Sequence, residues 1–499
     1  MKSGLVGDRF YYHQHNGAYF NPHAYVARVS GMEGLANGAG VDLLSADRAL
    51  LHEMSHWFQY MGTSFGLAVG LHRWQQYVTG IDILTDGGGT VAESILSKRV
   101  AGDPLVLLDG DGNFVSTEFS GENSKVLTSV WHAQLVTDRV MTDTGSLSRH
   151  LRLPFEFETM VGDFFVDVVG SPVLFGEPAT LPQDPRGCVK DCPAGVDDYL
   201  TSRAIMECAA VINEYASLSA GSEESRLLRE RTWRQFLGAG VYGAAGRYFC
   251  QVIGCGDVDV EAWLGSILTC CDIALNPIIP PLVELDFILD QPVSWSKLSP
   301  TWRFIRCVEA CRRLPPCRLE DLPGSAAELS QIIASIAGLE HWNGKTLGFH
   351  SMSPFLDQLA KLDFESVSTV SGESLFLSYF STVAREVWRL REDGDIQVFA
   401  HGILAREGLL SPEWFTMPPL LTDQQHRRFW HPKPLTSPST LPFATMLMGI
   451  YAVADIVSGS GPLDFSAFPS GLKERAKGAI VGLQLGDVMA DMPLRFSES

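Results

Sequence analysis

Apolar and polar residues follow two different periods along the chain. In residues 1–44, aromatic and polar residues alternate between glycines, as in RFYYHQHNGAYF, which is typical of short strands and turns. Residues 104–119 contain two apolar runs around the turn sequence DGDGN, which predicts a β-hairpin. In residues 198–218 and from about residue 224 onward, apolar positions recur every three to four residues, which predicts helices.

A long helix is predicted over residues 46–61. Ser45 suits the N-cap position, and Asp47 would lie in the first turn, where a negative charge is favourable. The sequence GTSFG at 62–66 is expected to end this helix.

These patterns predict an α+β fold that is mostly helical. The Pro-rich segment NPIIPPLVEL interrupts the helical pattern near residue 280 and indicates a domain boundary. We therefore expect two domains, residues 1–280 and residues 281–499, of which the second is helical.

Charge and hydropathy exclude several classes of partner. The formal net charge is -20, and no long basic stripe offsets it, so we expect no nucleic-acid partner. The first 20 residues lack the apolar segment of a secretion signal, and no apolar run reaches the length of a membrane span. A soluble, cytoplasmic protein without a membrane partner is expected.

Residues 52–56 read HEMSH and form an H-E-x-x-H pattern on the predicted helix. Residues four apart lie on one helical face, so His52 and His56 can bind one metal ion together. Catalytic zinc takes three protein ligands and leaves one position for water. Glu53 would lie beside the ion and could accept a proton from zinc-activated water. The pattern predicts one zinc ion per chain, with Glu53 as general base.

Two other interpretations use the same residues. The first is a helix with two ordinary histidines and an ordinary glutamate. The second is a di-iron carboxylate site, which requires the E-x-x-H unit twice. Among the 13 histidines of the chain, only His56 has a glutamate three positions before it, so the di-iron site is disfavoured.

The residues after the motif indicate a subclass. Gln59 and Gly62 stand where a metzincin would have glycine and histidine, which excludes that branch. What remains resembles, at the level of the motif, the gluzincin branch of the zinc metallopeptidases, or zincins. The resemblance implies a zincin-like core within residues 1–280, a peptide or protein substrate, and a glutamate from a later helix as the third zinc ligand.

Two glutamates are candidates for the third ligand, and a different residue is also possible. Glu93 follows His56 at a spacing that suits the branch. Glu207 is preferred, because it lies at the edge of a wide apolar face, where a buried carboxylate without a cation is costly. The small residues 208–210 would let its helix approach the motif helix closely. The alternative for Glu207 is a surface carboxylate paired with Arg203 or Lys190.

Other side chains could support the site. Gln59 and Thr63 continue the face of His52 and His56, where they could hydrogen-bond the histidines or simply pack. The residue that stabilises the developing oxyanion cannot be chosen from the sequence, and the candidates are Tyr215, Tyr248 and His132.

Two cysteine pairs were weighed as structural metal sites. Cys188 and Cys192 lie in a Pro-rich loop, where a metal or a disulfide is possible. Cys307 and Cys311 lie one turn apart on a predicted helix, where buried thiols are favoured.

The sequence therefore predicts a zinc metallopeptidase. The alternative is a non-catalytic protein, either a degenerate zincin-like fold or a helical scaffold for interactions. A hydrolase that acts on a non-peptide amide or ester is a further possibility.

Overall fold

The structure is a computed structural model of the chain. It describes the strand residues 13–15, 18–21, 26–28, 106–108, 114–117, 420–422 and 429–430, and the segments 43–67, 200, 202–218, 241–256, 259–277 and 300–339. The single positions 227, 232–233, 238, 384 and 387–388 complete the described residues.

Helices make up most of this described part. The α-helices are α1 Leu43–Gly62, α2 Ser202–Ser217, α3 Val241–Ile253, α4 Leu264–Leu275, α5 Pro300–Cys311 and α6 Leu322–Ala337. A 3₁₀ turn over Val260–Trp263 leads directly into α4. The prediction of a mostly helical protein is confirmed for these residues. None of the described helices has the length and hydropathy needed to cross a bilayer.

Short strands form two sheets beside the helices. The strands are β1 His13–His15, β2 Ala18–Asn21, β3 Val26–Arg28, β4 Val106–Leu108, β5 Phe114–Thr117, β6 Leu420–Thr422 and β7 Phe429–Trp430. The larger sheet has the order β1-β2-β3-β6-β7, in which β3 and β6 are parallel and the other pairs are antiparallel. Strands β4 and β5 pair in antiparallel fashion, which confirms the predicted hairpin, with an irregular register between Leu107 and Leu108.

Helix α1 carries the H-E-x-x-H residues and lies beside strands β1–β3. It begins at Leu43, so Ser45 lies inside the first turn and the predicted N-cap is wrong. Two leucines, which are good helix formers, extend the helix before Ser45. At its other end, the Thr63 hydroxyl donates to the Gln59 carbonyl and accepts from the Gly66 amide. A Cβ at Gly66 would clash with the backbone of α1, so glycine allows this close turn.

Helix α2 packs against α1 and is almost completely buried. Every residue of α2 is buried except Arg203 and Ser217, and the helix also contacts α3 and α4. The run Cys208–Ala209–Ala210 is fully buried, as expected for small residues at a close helix–helix contact. The helical period of residues 198–218 therefore predicted both the helix and its burial.

Helix α4 is buried along its whole length, and its C-terminal carbonyls need partners. The buried guanidinium of Arg303 on α5 supplies them. It donates to the Ile273 carbonyl at 2.8 Å and 3.1 Å and to the Asn276 carbonyl at 3.3 Å. The Asn276 side chain accepts from the Ser64 amide at 3.2 Å, so the end of α4 is joined to the turn that follows α1.

Contacts cross the predicted domain boundary near residue 280. Helix α5 packs against α4, and strand β6 pairs with β3, with Val26 opposite Leu420. The Pro-rich segment around the boundary extends into residues 278–299, which lie outside the described residues. The division at residue 280 and the zincin-like core both stay predictions.

Candidate metal centre

Helices α1 and α2 bring together the three side chains predicted as zinc ligands. His52 and His56 come from successive turns of α1, and Glu207 comes from α2. All three side chains are fully buried. Within the described ranges, they are the one group of histidine, cysteine or acidic side chains whose donor atoms all lie within 4.8 Å of one another.

The three donor atoms form a nearly equilateral triangle. Glu207 Oε2 lies 3.2 Å from His52 Nε2 and 3.2 Å from His56 Nε2, and the two nitrogens are 3.3 Å apart. Nitrogen and oxygen donors held ~2.1 Å from a tetrahedral zinc ion lie about 3.4 Å from each other. The triangle therefore fits a zinc ion bound on one side of it, with its fourth position open.

Gln59 orients His56 and joins the two helices. Its Oε1 atom accepts a hydrogen bond from His56 Nδ1 at 2.9 Å, and its Nε2 atom donates to the Met206 carbonyl at 2.8 Å. With Nδ1 as the donor, His56 keeps a lone pair on Nε2, the nitrogen that faces the triangle. Because Met206 directly precedes Glu207, the same amide also fixes the position of the carboxylate ligand.

Glu214 lies behind His52 at the distance of an ion pair. Its Oε2 atom lies 3.4 Å from His52 Nδ1, and its Oε1 atom accepts a bond from the Thr232 hydroxyl at 3.4 Å. Glu214 follows Glu207 by two helical turns, so both carboxylates lie on the same face of α2. A carboxylate behind a histidine ligand fixes the ring and increases the basicity of the opposite nitrogen.

Glu53 is buried beside the triangle and differs from the other acids of the site. Neither of its carboxylate oxygens has a hydrogen-bond partner among the residues that the structure describes. Burial raises the pKa of Glu53 well above its usual value, and the charges of Glu207 and Glu214 raise it further, while His52 lowers it. A carboxyl group in such a place holds its proton more tightly than an exposed one, because its charged form is destabilised.

The two histidines have opposite protonation tendencies. Burial lowers the pKa of His52, but hydrogen bonds with Glu207 and Glu214 outweigh it and raise the value to about 10. Burial lowers the pKa of His56, and the charge of His52 lowers it further, against the effect of Glu207. Without a metal ion, His52 is therefore the protonated member of the pair.

Two further residues border the site. Arg203, one turn before Glu207 on α2, has its Nε atom 3.5 Å from Glu207 Oε1. Tyr242 on α3 packs its ring against His52 in a T-shaped arrangement, with centroids 6.2 Å apart. Burial raises the pKa of Tyr242, and the charge of Glu207 adds to this effect. The phenol therefore stays protonated and can act as a hydrogen-bond donor.

The supporting residues that were predicted from the sequence make different contacts in the structure. Gln59 contacts His56, whereas the bonds of Thr63 to described residues are with the backbone at the end of α1. The Tyr215 hydroxyl donates to Glu261 Oε1 at 2.6 Å, and the Tyr248 ring packs against Phe304. The predictions for Glu93, His132, Lys190 and the pair Cys188 and Cys192 lie outside the described residues.

Sequence reasoning missed Tyr242 as a neighbour of the site. Nothing in the local pattern VYGAAGRYF marks it, because its contact with His52 depends on how α3 packs against α2. Glu214 could have been identified by its spacing, since a second acid two turns from Glu207 must share its face.

The predicted cysteine pair on α5 lies in the core. Cys307 and Cys311 are buried, and Cys311 Sγ lies 3.5 Å from Cys270 Sγ on α4. Burial raises the pKa of the Cys270 thiol, and hydrogen bonds with Cys307 and Cys311 raise it further. The environment favours protonated thiols that pack between helices.

Comparison of the chain with known protein families, with characterised proteins and with solved structures finds no match. The function is therefore argued from the geometry and the electrostatics of the site.

Proposed function

We propose that this chain is a zinc-dependent peptidase of the H-E-x-x-H type. In this proposal, His52, His56 and Glu207 hold one zinc ion, and Glu53 is the general base. The single observation that carries the proposal is Glu53 itself, which is buried next to a triangle of zinc-type donors with both oxygens unbonded within the described structure.

An unbonded buried carboxyl group is costly to a fold. Leaving one polar group unsatisfied costs about 1–3 kcal/mol, and a charged group costs more. Glu53 gives no hydrogen bond to the described structure in return. Such a group is expected where a reaction needs a proton acceptor that is not already occupied.

The residues of the site divide the chemistry between them. Zinc, when bound, supplies a Lewis acid that polarises a carbonyl group and lowers the pKa of water toward neutrality. Glu53 would accept the proton of the attacking water and return it to the leaving amine. Gln59 and Glu214 hold the imidazoles in place, so that the ligand geometry need not reorganise during the reaction. Tyr242, whose ring packs against His52, would be a hydrogen-bond donor for negative charge that develops on the substrate oxygen.

A peptide or protein substrate follows from the resemblance of the motif to the gluzincin branch. The donor set itself, two imidazoles and one carboxylate, also serves hydrolysis of other amides and of esters. We therefore propose that the enzyme cleaves peptide bonds. Rates of hydrolysis measured with a panel of peptide, other amide and ester substrates would compare these possibilities directly.

The alternative is a non-catalytic zincin-like or helical scaffold in which zinc has a structural role. The complete burial of His52, His56 and Glu207 favours this second candidate, because structural zinc sites are closed. Structural sites, however, use four protein ligands, and the described cluster provides three. A purely structural role of zinc also gives no reason for Glu53 to lie beside the cluster.

The test compares four full-length proteins that have been incubated with zinc: wild type, Glu53→Gln, His56→Ala, which should bind almost no zinc and be inactive, and the control Glu309→Gln. Glu309 is half exposed on α5 and pairs with Arg312, so its replacement leaves the centre untouched. Cleavage of a mixture of unfolded peptides is followed by mass spectrometry of the new termini. We expect wild type and Glu309→Gln to cleave, and Glu53→Gln to keep its zinc while losing about 100-fold or more of the activity. Cleavage by Glu53→Gln at the wild-type rate would contradict the proposal.

A further inference from the structure

The exposure of the side chains indicates the direction from which a substrate can reach the centre. His52, Glu53, His56 and Glu207 are fully buried. Arg203, which contacts Glu207, keeps 21% of its side-chain surface exposed. Among the described residues that contact the metal-binding side chains, Arg203 and the partly exposed Tyr242 therefore join the buried centre to the surface.

The guanidinium of Arg203 is held loosely in the described structure. Its Nε atom is buried and makes no hydrogen bond to a described residue, and its one ion pair, with Glu207 Oε1, is long at 3.5 Å. A guanidinium has five N–H donors in a planar fork that matches a carboxylate. Among the described residues, the ion pair with Glu207 uses one of these five donors.

Zinc binding would change the charge balance around Arg203. Glu207 has to neutralise Arg203 in part when no metal is present, but a bound zinc ion competes for the same carboxylate. Zinc, two neutral imidazoles and the carboxylates of Glu207 and Glu214 sum to a charge of about zero, so the positive charge of Arg203 is no longer neutralised by Glu207. The exposed edge of the centre then attracts an anion.

The distance restricts where that anion can lie on a substrate. Arg203 contacts Oε1 of Glu207, while Oε2 of the same carboxylate belongs to the donor triangle. The guanidinium is therefore about one residue of extended chain, roughly 3.5 Å, beyond the donor atoms. A carboxylate one residue away from the scissile carbonyl group fits this separation.

We propose that Arg203 binds a carboxylate of the substrate, so that the centre acts on peptides with a carboxylate adjacent to the scissile bond. This inference rests on the proposed peptidase function and names its substrate class. The carboxylate has two sources, the free C-terminus of a peptide or the side chain of an Asp or Glu residue after the scissile bond. The first source corresponds to removal of residues from the C-terminus.

The test measures binding and does not depend on turnover. Full-length Glu53→Gln protein is loaded with zinc and dialysed to equilibrium against three pools of N-acetylated tripeptides, which are quantified by mass spectrometry. The first pool has free C-termini, the second has amidated C-termini without acidic side chains, and the third has amidated C-termini with Asp or Glu at the last position. The same pools are then measured with Glu53→Gln protein that also carries Arg203→Met, Arg203→Lys or the control Arg312→Met. Arg312 is an exposed residue directly after α5.

We expect the first pool to bind about 10- to 100-fold more tightly than the second, the range typical of a charge-assisted hydrogen bond. Arg203→Met should abolish this preference, Arg203→Lys should keep a part of it, and Arg312→Met should leave it unchanged, with the zinc content unaltered in all three. A preference for the third pool over the first would assign the carboxylate to an acidic side chain. Equal binding of all three pools, or a preference that survives Arg203→Met, would overturn the inference. The peptidase proposal would fail through a different result, namely that wild-type protein cleaves no peptide at all.

Discussion

His52 Nε2 and Glu207 Oε2 lie 3.2 Å apart, although 155 positions separate the two residues in the chain. The contact joins the middle of α1 to the first half of α2, and both side chains are fully buried. A buried pair of this kind needs either a proton or a metal ion between its partners. The predictions below distinguish between these two states.

We expect Glu207 to bind zinc directly and Glu214 to hold the His52 ring in place. Replacing one of three protein ligands removes a large share of the binding free energy of ~10–16 kcal/mol, so Glu207→Gln should weaken zinc binding by about 100-fold or more. Glu214→Gln should weaken it by only about 10- to 100-fold, because Glu214 contacts the far nitrogen of His52. Competition with a chromophoric chelator measures both affinities. An equal, small effect of the two variants would contradict the assignment of Glu207.

Gln59 should matter for metal binding, whereas Thr63 should not. Gln59→Leu removes the acceptor for His56 Nδ1 and the bond to the Met206 carbonyl, and we expect zinc affinity to fall about 10- to 100-fold. Thr63→Val is the matched control, since the bonds of Thr63 to described residues are with the backbone at the end of α1. It should lower the midpoint of thermal unfolding and leave the zinc affinity unchanged. A loss of zinc affinity in Thr63→Val as large as in Gln59→Leu would show that general loosening of α1 is the cause.

Zinc binding should release protons. Burial opposes protonation of His52, but its bonds with Glu207 and Glu214 raise its pKa to about 10, so in the metal-free protein it is protonated at neutral pH. A ligand imidazole must be neutral, and the proton therefore leaves when zinc binds. We expect at least about one proton released per zinc, and an affinity that rises ~10-fold per pH unit from about pH 7 to about pH 9. Calorimetry in buffers of different ionisation enthalpy measures the release, and an affinity independent of pH would refute it.

Glu53 should reduce the stability of the metal-free protein. Because the pKa of Glu53 is higher in the folded state than its usual value of 4.5, its contribution to stability is greatest below that pH and is lost as the pH rises through the folded-state value. Glu53→Met should therefore raise the free energy of unfolding by about 1–3 kcal/mol near neutral pH, and by more at higher pH.

Urea unfolding of metal-free wild type and Glu53→Met at several pH values tests this expectation. The control Glu309→Met replaces an exposed acid and should change the free energy of unfolding by less than about 0.5 kcal/mol. A Glu53→Met protein that is less stable than wild type at every pH would mean that Glu53 makes a favourable contact in the fold.

The spacing of apolar residues predicted helices α1 and α2, because apolar residues that recur every three to four positions form one face of a helix. His52 and His56 could be placed on one face from their spacing alone. Glu207 could be preferred because it interrupts an apolar face of α2, and the structure indeed buries it completely. Its approach to both imidazoles remained an expectation until the packing of α2 on α1 was known.

Other features depend on tertiary packing and had no local signal. Tyr242 borders the site only because α3 packs beside α2. The parallel pairing of β3 with β6 joins positions almost 400 residues apart, Val26 and Leu420, and no short-range pattern encodes such a partner. The start of α1 was misplaced because Ser45 offers a good cap, while Leu43 and Leu44 continue the helix beyond it.

The zinc content of the purified protein tests the central claim most directly. Full-length wild type, Glu53→Gln, His52→Ala and His56→Ala are purified without chelators, equilibrated with dilute zinc, dialysed, and analysed by inductively coupled plasma mass spectrometry. The account predicts about one zinc per chain in wild type and Glu53→Gln, and almost none in the two alanine variants, which each lack one of three ligands. Wild-type protein that retains no zinc, or alanine variants that retain as much zinc as wild type, would contradict it.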